Sequence, residues 1–344
     1  MMFQLINTEG YARRGQINIA DHKLDTPVFV SDAIYLNESS MTAVELQSQG
    51  SQFAMLDAMR LWTRYGDKVK QPAVVKKLIP WDGLLLSQLA APHRLNHYSV
   101  KLSKQGVCFH SQLGGERLQL SPDDFISIQH QLGADIVMTY AHPQGLADPR
   151  TAVDTTLHWA QHCQHFHGDN TAALFAVVPT FADADLQQQL CHRLMAMDFS
   201  GYMFDSLLEN IKQVPVPICR SVRYVTTVAQ MVKSVEMGVD IIHSSMPMQR
   251  ANKGQLLTAS EEIDIFDVQY RDNFNSPVDS DCDCTTCKHF SRAYLHYLYT
   301  HNIMLARRLG AIHNQFFCQR LMFYLRTAIE RGNMLSKGKA NIKG

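Results

Sequence analysis

No stretch of this chain approaches the roughly 20 consecutive apolar residues of a membrane-spanning helix, so none is expected. Neither sign of charge is in excess: Lys+Arg and Asp+Glu stand at 32 each and the formal net charge is zero. That removes any global pull towards nucleic acid or a membrane surface, so a polyanionic partner has to be met by a local patch. The opening residues, MMFQLINTEGYARRG, lack an apolar run followed by a small-residue cleavage site, and no signal peptide is expected. Internal repeats and low-complexity tracts are absent. Cysteine is sparse: of eight in all, Cys108, Cys163, Cys191, Cys219 and Cys318 are scattered through apolar or helical surroundings. That reads as reduced thiols in a cytoplasmic protein rather than a disulfide framework.

What is there is enough for a large core. The chain has 344 residues, 46% of them hydrophobic and 19% charged, ordinary for a globular protein. Short, nearly continuous apolar runs recur: TPVFVSD (26–32), QFAMLDA (52–58), GLLLSQL (83–89), ADIVMTYA (134–141), ALFAVVPT (173–180), GYMFDS (201–206), VRYVTTV (222–228) and VDIIHSSMP (239–247). Such runs suit parallel strands covered on both faces. Helical patterns lie between many of them, among them MTAVELQSQG, SPDDFISIQHQLG, DLQQQLCHRLMAM and AQMVKSVEMG, several ending in Gly. Eight strand runs alternating with helices predict an α/β fold, a (β/α)8 TIM barrel. VCFHSQLGGERLQLS (107–121) breaks the alternation and reads as an inserted hairpin turning near Gly114 and Gly115.

The remaining three cysteines fall within six positions, CDCTTC, as Cys282, Cys284 and Cys287. The helical stretch SRAYLHYLYTHNIMLARRLGAIHN that follows can carry His313 back to them. Three thiolates and an imidazole make a closed tetrahedral zinc site, structural because no position is left open for water. His289, His296 and His301 compete for the fourth place, and the bland alternative is a loop of reduced cysteines beside an unrelated histidine.

CDCTTCKHFSRAYLHYL…AIHNQFFCQRLM closely resembles the zinc segment of the tRNA-guanine transglycosylases, or queuine tRNA-ribosyltransferases. The resemblance continues upstream through MPMQRANKGQLL, LGADIVM, WDGLLL, LWTRYGD, TPVF and GYARRG, from residue 3 to about residue 332. It implies a barrel with an inserted C-terminal zinc-binding helical subdomain, commonly a homodimer, acting on the wobble guanine of certain tRNAs. It also implies base exchange through a covalent ribosyl-enzyme intermediate. The barrel is expected over residues 1–275, the zinc subdomain over 276–335, and a flexible basic tail over 336–344.

Base exchange at C1′ of a ribose needs a carboxylate nucleophile and a group that handles the proton of the base, and in a barrel these belong at the C-terminal strand ends. Against the family pattern this chain departs at those ends. The nucleophile of the D-C-V-M-P motif is replaced by His243, in HSSMP. The aspartate of T-D-S-G-G-F-Q becomes Gln88, with Ala90 and Ala91 in place of the two glycines. The base-recognising aspartate after D-I-V-M becomes Ala141, and Pro179 stands where G-x-x-Q-G has Gln. The G-G-L stretch corresponds to Asp205 and Ser206, and M-G-V-G-K-P is shortened to TTVAQ. Framework motifs persist between these positions. The chain therefore reads as a non-catalytic member, an accessory subunit or tRNA-binding module in queuosine-type tRNA modification. The alternative is an active, divergent pentosyltransferase using His243 or a relocated carboxylate such as Asp57 or Asp205.

Where the family carries the two arginines of T-R-N-A-R-N-G, this chain has Gln249 and Asn252, with Arg250 and Lys253 adjacent. Those two cations are the candidate tRNA contacts; the bland reading is a solvated loop. A homodimer or a heterodimer with an active transglycosylase is expected.

Overall fold

A computed structural model of the protein describes residues 2–19, 21–31, 41–66, 68, 75, 77–89, 98–111, 114–143 and 145–334. The basic tail expected at 336–344, together with Ala90 and Ala91, lies outside them. Among the described residues no helix is long and apolar enough to cross a membrane.

The chain opens with an antiparallel sheet of β1 (Phe3–Glu9), β2 (Ala12–Ile19) and β3 (His22–Thr26). β4 (Val28–Ser31) follows, then helix α1 (Ala43–Ser48), β5 (Phe53–Asp57), helix α2 (Ala58–Tyr65) and β6 (Leu84–Gln88). A second antiparallel sheet then interrupts the alternation: β7 (Tyr98–Ser103), β8 (Gly106–His110) and β9 (Arg117–Leu120). The remaining units are helix α3 (Pro122–Gln131), β10 (Ile136–Met138), α4 (Pro149–His167), β11 (Ala173–Val178), α5 (Ala184–Met195), β12 (Gly201–Phe204), β13 (Cys219–Val222), α6 (Val228–Glu236) and β14 (Ile241–Ser244). Strands β10–β14 and β4–β6 close into one parallel barrel of eight, as the alternation of apolar runs predicts.

Period-two alternation divides each barrel strand between two cores. Val28, Phe53, Leu86, Phe175, Met203 and Ile241 face the barrel interior, while Phe29, Leu56, Leu85 and Ile242 face the helices. The interior is filled to contact: a Cβ added at Gly201 would lie 2.5 Å from the ring of Phe175. Phe3, Ile17 and Leu24 of the N-terminal sheet belong to this interior core, so that sheet floors the barrel at the N-terminal ends of its strands. Arg13 of β2 reaches Asp240 there, Nε to Oδ1 3.2 Å, with both side chains nearly fully buried. Burial pushes the Asp240 carboxyl up to about 7, with Arg13 and the Arg220 backbone N–H pulling the other way. The arginines of GYARRG are thus part of the barrel's floor plug.

Two elements differ from the sequence expectation. The inserted hairpin is present as β8 and β9, but β7 joins it to make three strands, since YSVKLS alternates too weakly to read as a strand alone. The seventh barrel strand is Cys219–Val222, not the VRYVTTV run at 222–228. Parallel pairing with β12 (Gly201↔Cys219 through Phe204↔Val222) fixes the earlier register. The polar residues in CRSV hid it, and Arg220 is accommodated because its guanidinium donates to the Val214 carbonyl at 2.6 Å.

After β14 the chain makes helix α7 (Met246–Asn252), a ribbon of β15 (Gln255–Leu257) and β16 (Glu262–Asp264), and helices α8 (Thr285–His289), α9 (Arg292–His301) and α10 (Ile303–Glu330). The helical stretch read before His313 is broken at Asn302, whose side chain caps α10 by accepting from Leu305 N. Helix α10 returns to the barrel wall: Gln319 donates to Phe29 O at 3.3 Å and Arg326 to Pro27 O at 2.8 Å. The segment between β14 and α10 is therefore an insertion ahead of the barrel's closing helix, and it has its own apolar core around Leu256, Ile265, Val278, Leu295 and Leu309.

Candidate functional site: a metal centre and the barrel mouth

The insertion folds Cys282, Cys284 and Cys287 against His313 so that their four ligand atoms lie within 4.8 Å of one another. Cys284 caps α8 with its sulfur accepting from Cys287 N, which sets the loop. His313 Nδ1 stands 3.6 Å from the sulfurs of Cys282 and Cys284 and 3.3 Å from that of Cys287. Zinc at about 2.3 Å from sulfur and about 2.0–2.1 Å from nitrogen, in tetrahedral geometry, implies an S···N spacing of about 3.6 Å. The residues fit the ion. His313 Nε2 lies 2.6 Å from the Leu257 carbonyl and donates to it, which fixes the tautomer that leaves Nδ1 free to bind metal. Of the competitors, His296 directs its Nδ1 at the Ile265 carbonyl, 2.8 Å away, and His301 stacks on Tyr297.

Hydrogen bonds from Cys282 and Cys287, and the Cys287 and Thr286 backbone, lower the Cys284 thiol, while Cys287, hydrogen-bonded to the other two, is pushed up. The thiolate is the ligating form. With four protein donors and no open position, the zinc this set holds is structural. The next residue, Asn314, is fully buried and ties the centre to the barrel. It accepts from Leu257 N at 2.8 Å and donates to Gln255 O at 2.9 Å and to Pro247 O at 3.0 Å, in α7 directly after the last barrel strand.

The inward phase of the strands sets which residues line the barrel mouth. Following Met55, Leu86, Met203, Cys219 and Ile241 up their strands brings Asp57, Gln88, Asp205, Arg223 and His243 to the C-terminal ends. His243 is 1% exposed on β14, in register with Val30. Its neighbours are both engaged: Ser244 Oγ donates to the Val225 carbonyl and accepts from Met246 N at 2.9 Å. Ser245 Oγ accepts from Gln249 at 2.8 Å. Asp57 is 2% exposed and caps α2, accepting from Arg60 N at 3.1 Å. Gln88 is buried. Ala141 packs against the interior core and Pro179 is buried just beyond β11. Ser206 Oγ lies 2.6 Å from Thr180 Oγ1.

Reading the sequence did not single out Arg223. Its Nε donates to Asp205 Oδ1 at 2.6 Å and its Nη1 to Gln88 Oε1 at 3.0 Å. The available signal was a lone arginine two residues beyond Ser221, in the inward phase of β13.

Arg250 and Lys253 part company. Arg250 pairs with Glu262 at 3.0 Å and donates to Gln255 Oε1 at 2.9 Å and to the Thr226 carbonyl at 3.3 Å, whereas Lys253, past the end of α7, is exposed.

Comparison with known proteins agrees with this geometry. The sequence model of the family described as queuine tRNA-ribosyltransferase matches residues 8–340. The queuine tRNA-ribosyltransferase of Francisella tularensis subsp. novicida (strain U112) is 31% identical over 351 aligned positions, covering 96% of this chain and 95% of that relative. Those of F. tularensis subsp. tularensis (strain WY96-3418) and subsp. holarctica (strain FTNF002-00 / FTA) are each 30% identical with the same coverage. A parallel eight-stranded barrel, a Cys3His centre in the insertion before its closing helix, and a match over nearly the whole length have one reading: the chain belongs to the queuine tRNA-ribosyltransferase family.

Proposed function

We propose that this chain is a member of its family that does not exchange the base, and that it serves queuosine-type tRNA modification as a tRNA-binding or accessory subunit. The observation that carries the reading is the composition of the mouth. Gln88 and His243 occupy strand ends where the family resemblance expects aspartates, and neither supplies a carboxylate to trap an oxocarbenium-like C1′. The carboxylates among the described mouth residues are already engaged, Asp57 with the Arg60 amide and Asp205 with Arg223.

In this reading the zinc-binding subdomain, inserted between β14 and the barrel-closing helix α10, docks a second chain, either another copy or an active transglycosylase, in the cytoplasm. Tyr297 and Met304, 54% and 82% exposed on the outer side of that subdomain, are the apolar side chains such a partner would cover. Of the two expected cations, Lys253 supplies the local charge for tRNA, Arg250 being paired with Glu262.

The test is incorporation of labelled guanine into unmodified tRNA by the purified, zinc-loaded protein beside an active family member. No incorporation, with the control working, is the expected result, followed by co-purification of the chain with the active relative. Incorporation above background would overturn the reading, and Asp57→Asn, Asp205→Asn and His243→Ala would then locate the relocated chemistry.

A further inference from the structure

Helix α4 packs on the barrel through Thr156, Trp159, Ala160 and Cys163, and Trp159 Nε1 donates to the Ser103 and Lys104 carbonyls, each at 3.1 Å. With that face fixed, the 3.6-residue repeat sets Asp154, His158, His162 and His165 in one row along the other side of the helix. His158 is half-buried, and His162 and His165 are exposed. The rings of His158 and His162, one turn apart, stand 4.5 Å centroid to centroid at an interplanar angle of 55°. Among the described residues no group is hydrogen-bonded to either ring. The other imidazole pair on this flank is closed on itself, His130 Nε2 lying 3.1 Å from His167 Nδ1.

Two imidazoles on one ion, at metal–nitrogen bonds of about 2.0–2.1 Å, set their ring centroids about 4.5–5 Å apart. The pair already has that separation. Neutral imidazole is the ligating form, and burial, His162 and Lys104, in that order, hold His158 below its ordinary histidine value. Lys104 repels a cation there, while Asp154, one turn before His158 and loosely held by Arg193 at 3.4 Å, attracts it. We infer that His158 and His162 are a second metal site, a bidentate chelate on the barrel flank for a divalent transition ion of the nickel, copper or zinc class. Imidazole suits those ions, and the pair includes no thiolate to select a softer one. Unlike the Cys3His centre, two protein donors leave the remaining positions of the ion to water or to a ligand from solution. The site lies outside the mouth and stands whether or not the chain exchanges a base.

The experiment uses the full-length, zinc-loaded chain without an affinity tag, titrated calorimetrically with nickel chloride about one pH unit above the ordinary histidine value. Released zinc is followed with a colorimetric chelator. One nickel per chain is expected with no zinc released, and His158→Gln and His162→Gln should each weaken its binding at least about tenfold. His167→Gln, in the pair closed on itself, should leave nickel affinity unchanged. Uptake matched by zinc release, unchanged affinity in either His158→Gln or His162→Gln, or a loss in His167→Gln would overturn the inference.

A second measurement locates the ion in the parent chain. Nickel at well below one equivalent is paramagnetic when bound with water in the open positions, and its effect on nearby protons falls steeply with distance. It should broaden the ring-proton resonances of His158 and His162, assigned by their loss in the two variants, before those of His130 and His167. Broadening centred on His130 and His167, or spread evenly over the exposed histidines, would overturn the inference.

Discussion

The metal centre and the Asp205–Arg223–Gln88 bridge at the barrel mouth use polar side chains in opposite ways. Around the Cys3His cluster the polar side chains are answered by the backbone of another element. His313 bonds to Leu257 O, Thr286 to Leu309 O at 2.7 Å, and Asn314 to β15 and α7. At the mouth the observed bridge runs from side chain to side chain, Asp205–Arg223–Gln88. A side chain bonded to the backbone of a neighbouring element is part of the fold, and removing it leaves buried backbone groups unpaired. A pair of side chains spanning a barrel axis holds only the space between them. The two regions should therefore answer substitution very differently.

The largest effect belongs to the metal. Cys284→Ala should abolish stoichiometric zinc, read by a colorimetric chelator assay after denaturation, and split the single unfolding transition so that the C-terminal insertion melts first. Apparent binding energies of about 10–16 kcal/mol in small zinc modules are folding energy, and the insertion core is too small to dispense with such a term. Unchanged zinc content in Cys284→Ala would remove that residue from the ligand set.

Asn314→Ala against Gln88→Ala tests the comparison within one polar residue class. The first strands Leu257 N, Pro247 O and Gln255 O in a fully buried position, at about 1–3 kcal/mol for each group left unpaired. The second removes one acceptor from a guanidinium that keeps Asp205, and should cost no more than about 1.5 kcal/mol by urea denaturation. Equal losses would break the distinction between the two regions.

The two regions also differed in how legible they were. The Cys3His set could be read because its ligands are chemically unusual and closely spaced, and helical periodicity accounts for the return of His313. The barrel could be read from eight apolar runs, one of them misplaced by three residues because CRSV carries a buried arginine, whose guanidinium is met by the Val214 carbonyl and whose backbone N–H is met by Asp240. The floor sheet was missed because FQLINTE and ARRGQINI mix polar and apolar positions, and burial of Arg13 depends on Asp240, far along the chain. Arg223 was missed for a related reason. Its role exists only once the barrel closes and brings β6 opposite β13, which no local pattern encodes.

A smaller effect should appear on the barrel's flank. His130 Nδ1 takes a 3.5 Å contact from the Asn170 amide, whose oxygen is held by Ala172 N, so His130 Nε2 carries the hydrogen and donates to His167 Nδ1 at 3.1 Å. Burial, then the neighbouring His167, brings His130 down to about 4, and burial lowers His167 as well. Both groups are favoured neutral in the fold, so the unfolded chain binds more protons below its ordinary histidine value. Their contribution is complete above about pH 6.5 and is lost as pH falls from there towards 4. Thermal unfolding across that window should show a steeper decline for the parent than for His167→Gln, at about 2–4 °C for each kcal/mol lost. Parallel declines would show that the pair does not sense pH.

The smallest effect concerns the loop after the last strand, where backbone-tied and solvent-facing cations sit three residues apart. Arg250 is pinned to Glu262, Gln255 and the Thr226 carbonyl, so bringing it to a phosphate would mean exchanging those partners. Lys253 is exposed just beyond α7. If the loop meets tRNA, Lys253→Ala should weaken binding by a modest factor and reduce the slope of log K against log salt by about 1. Arg250→Ala should leave that slope nearly unchanged and instead loosen the β15–β16 ribbon, seen as faster amide exchange at Leu256 and Ile263. The reverse result, a slope lost with Arg250 and kept without Lys253, would mean that the Glu262 pair opens on binding. The cation built into the fold would then be the one that contacts the nucleic acid, and the division between fold-bound and ligand-facing polar groups would fail at this loop.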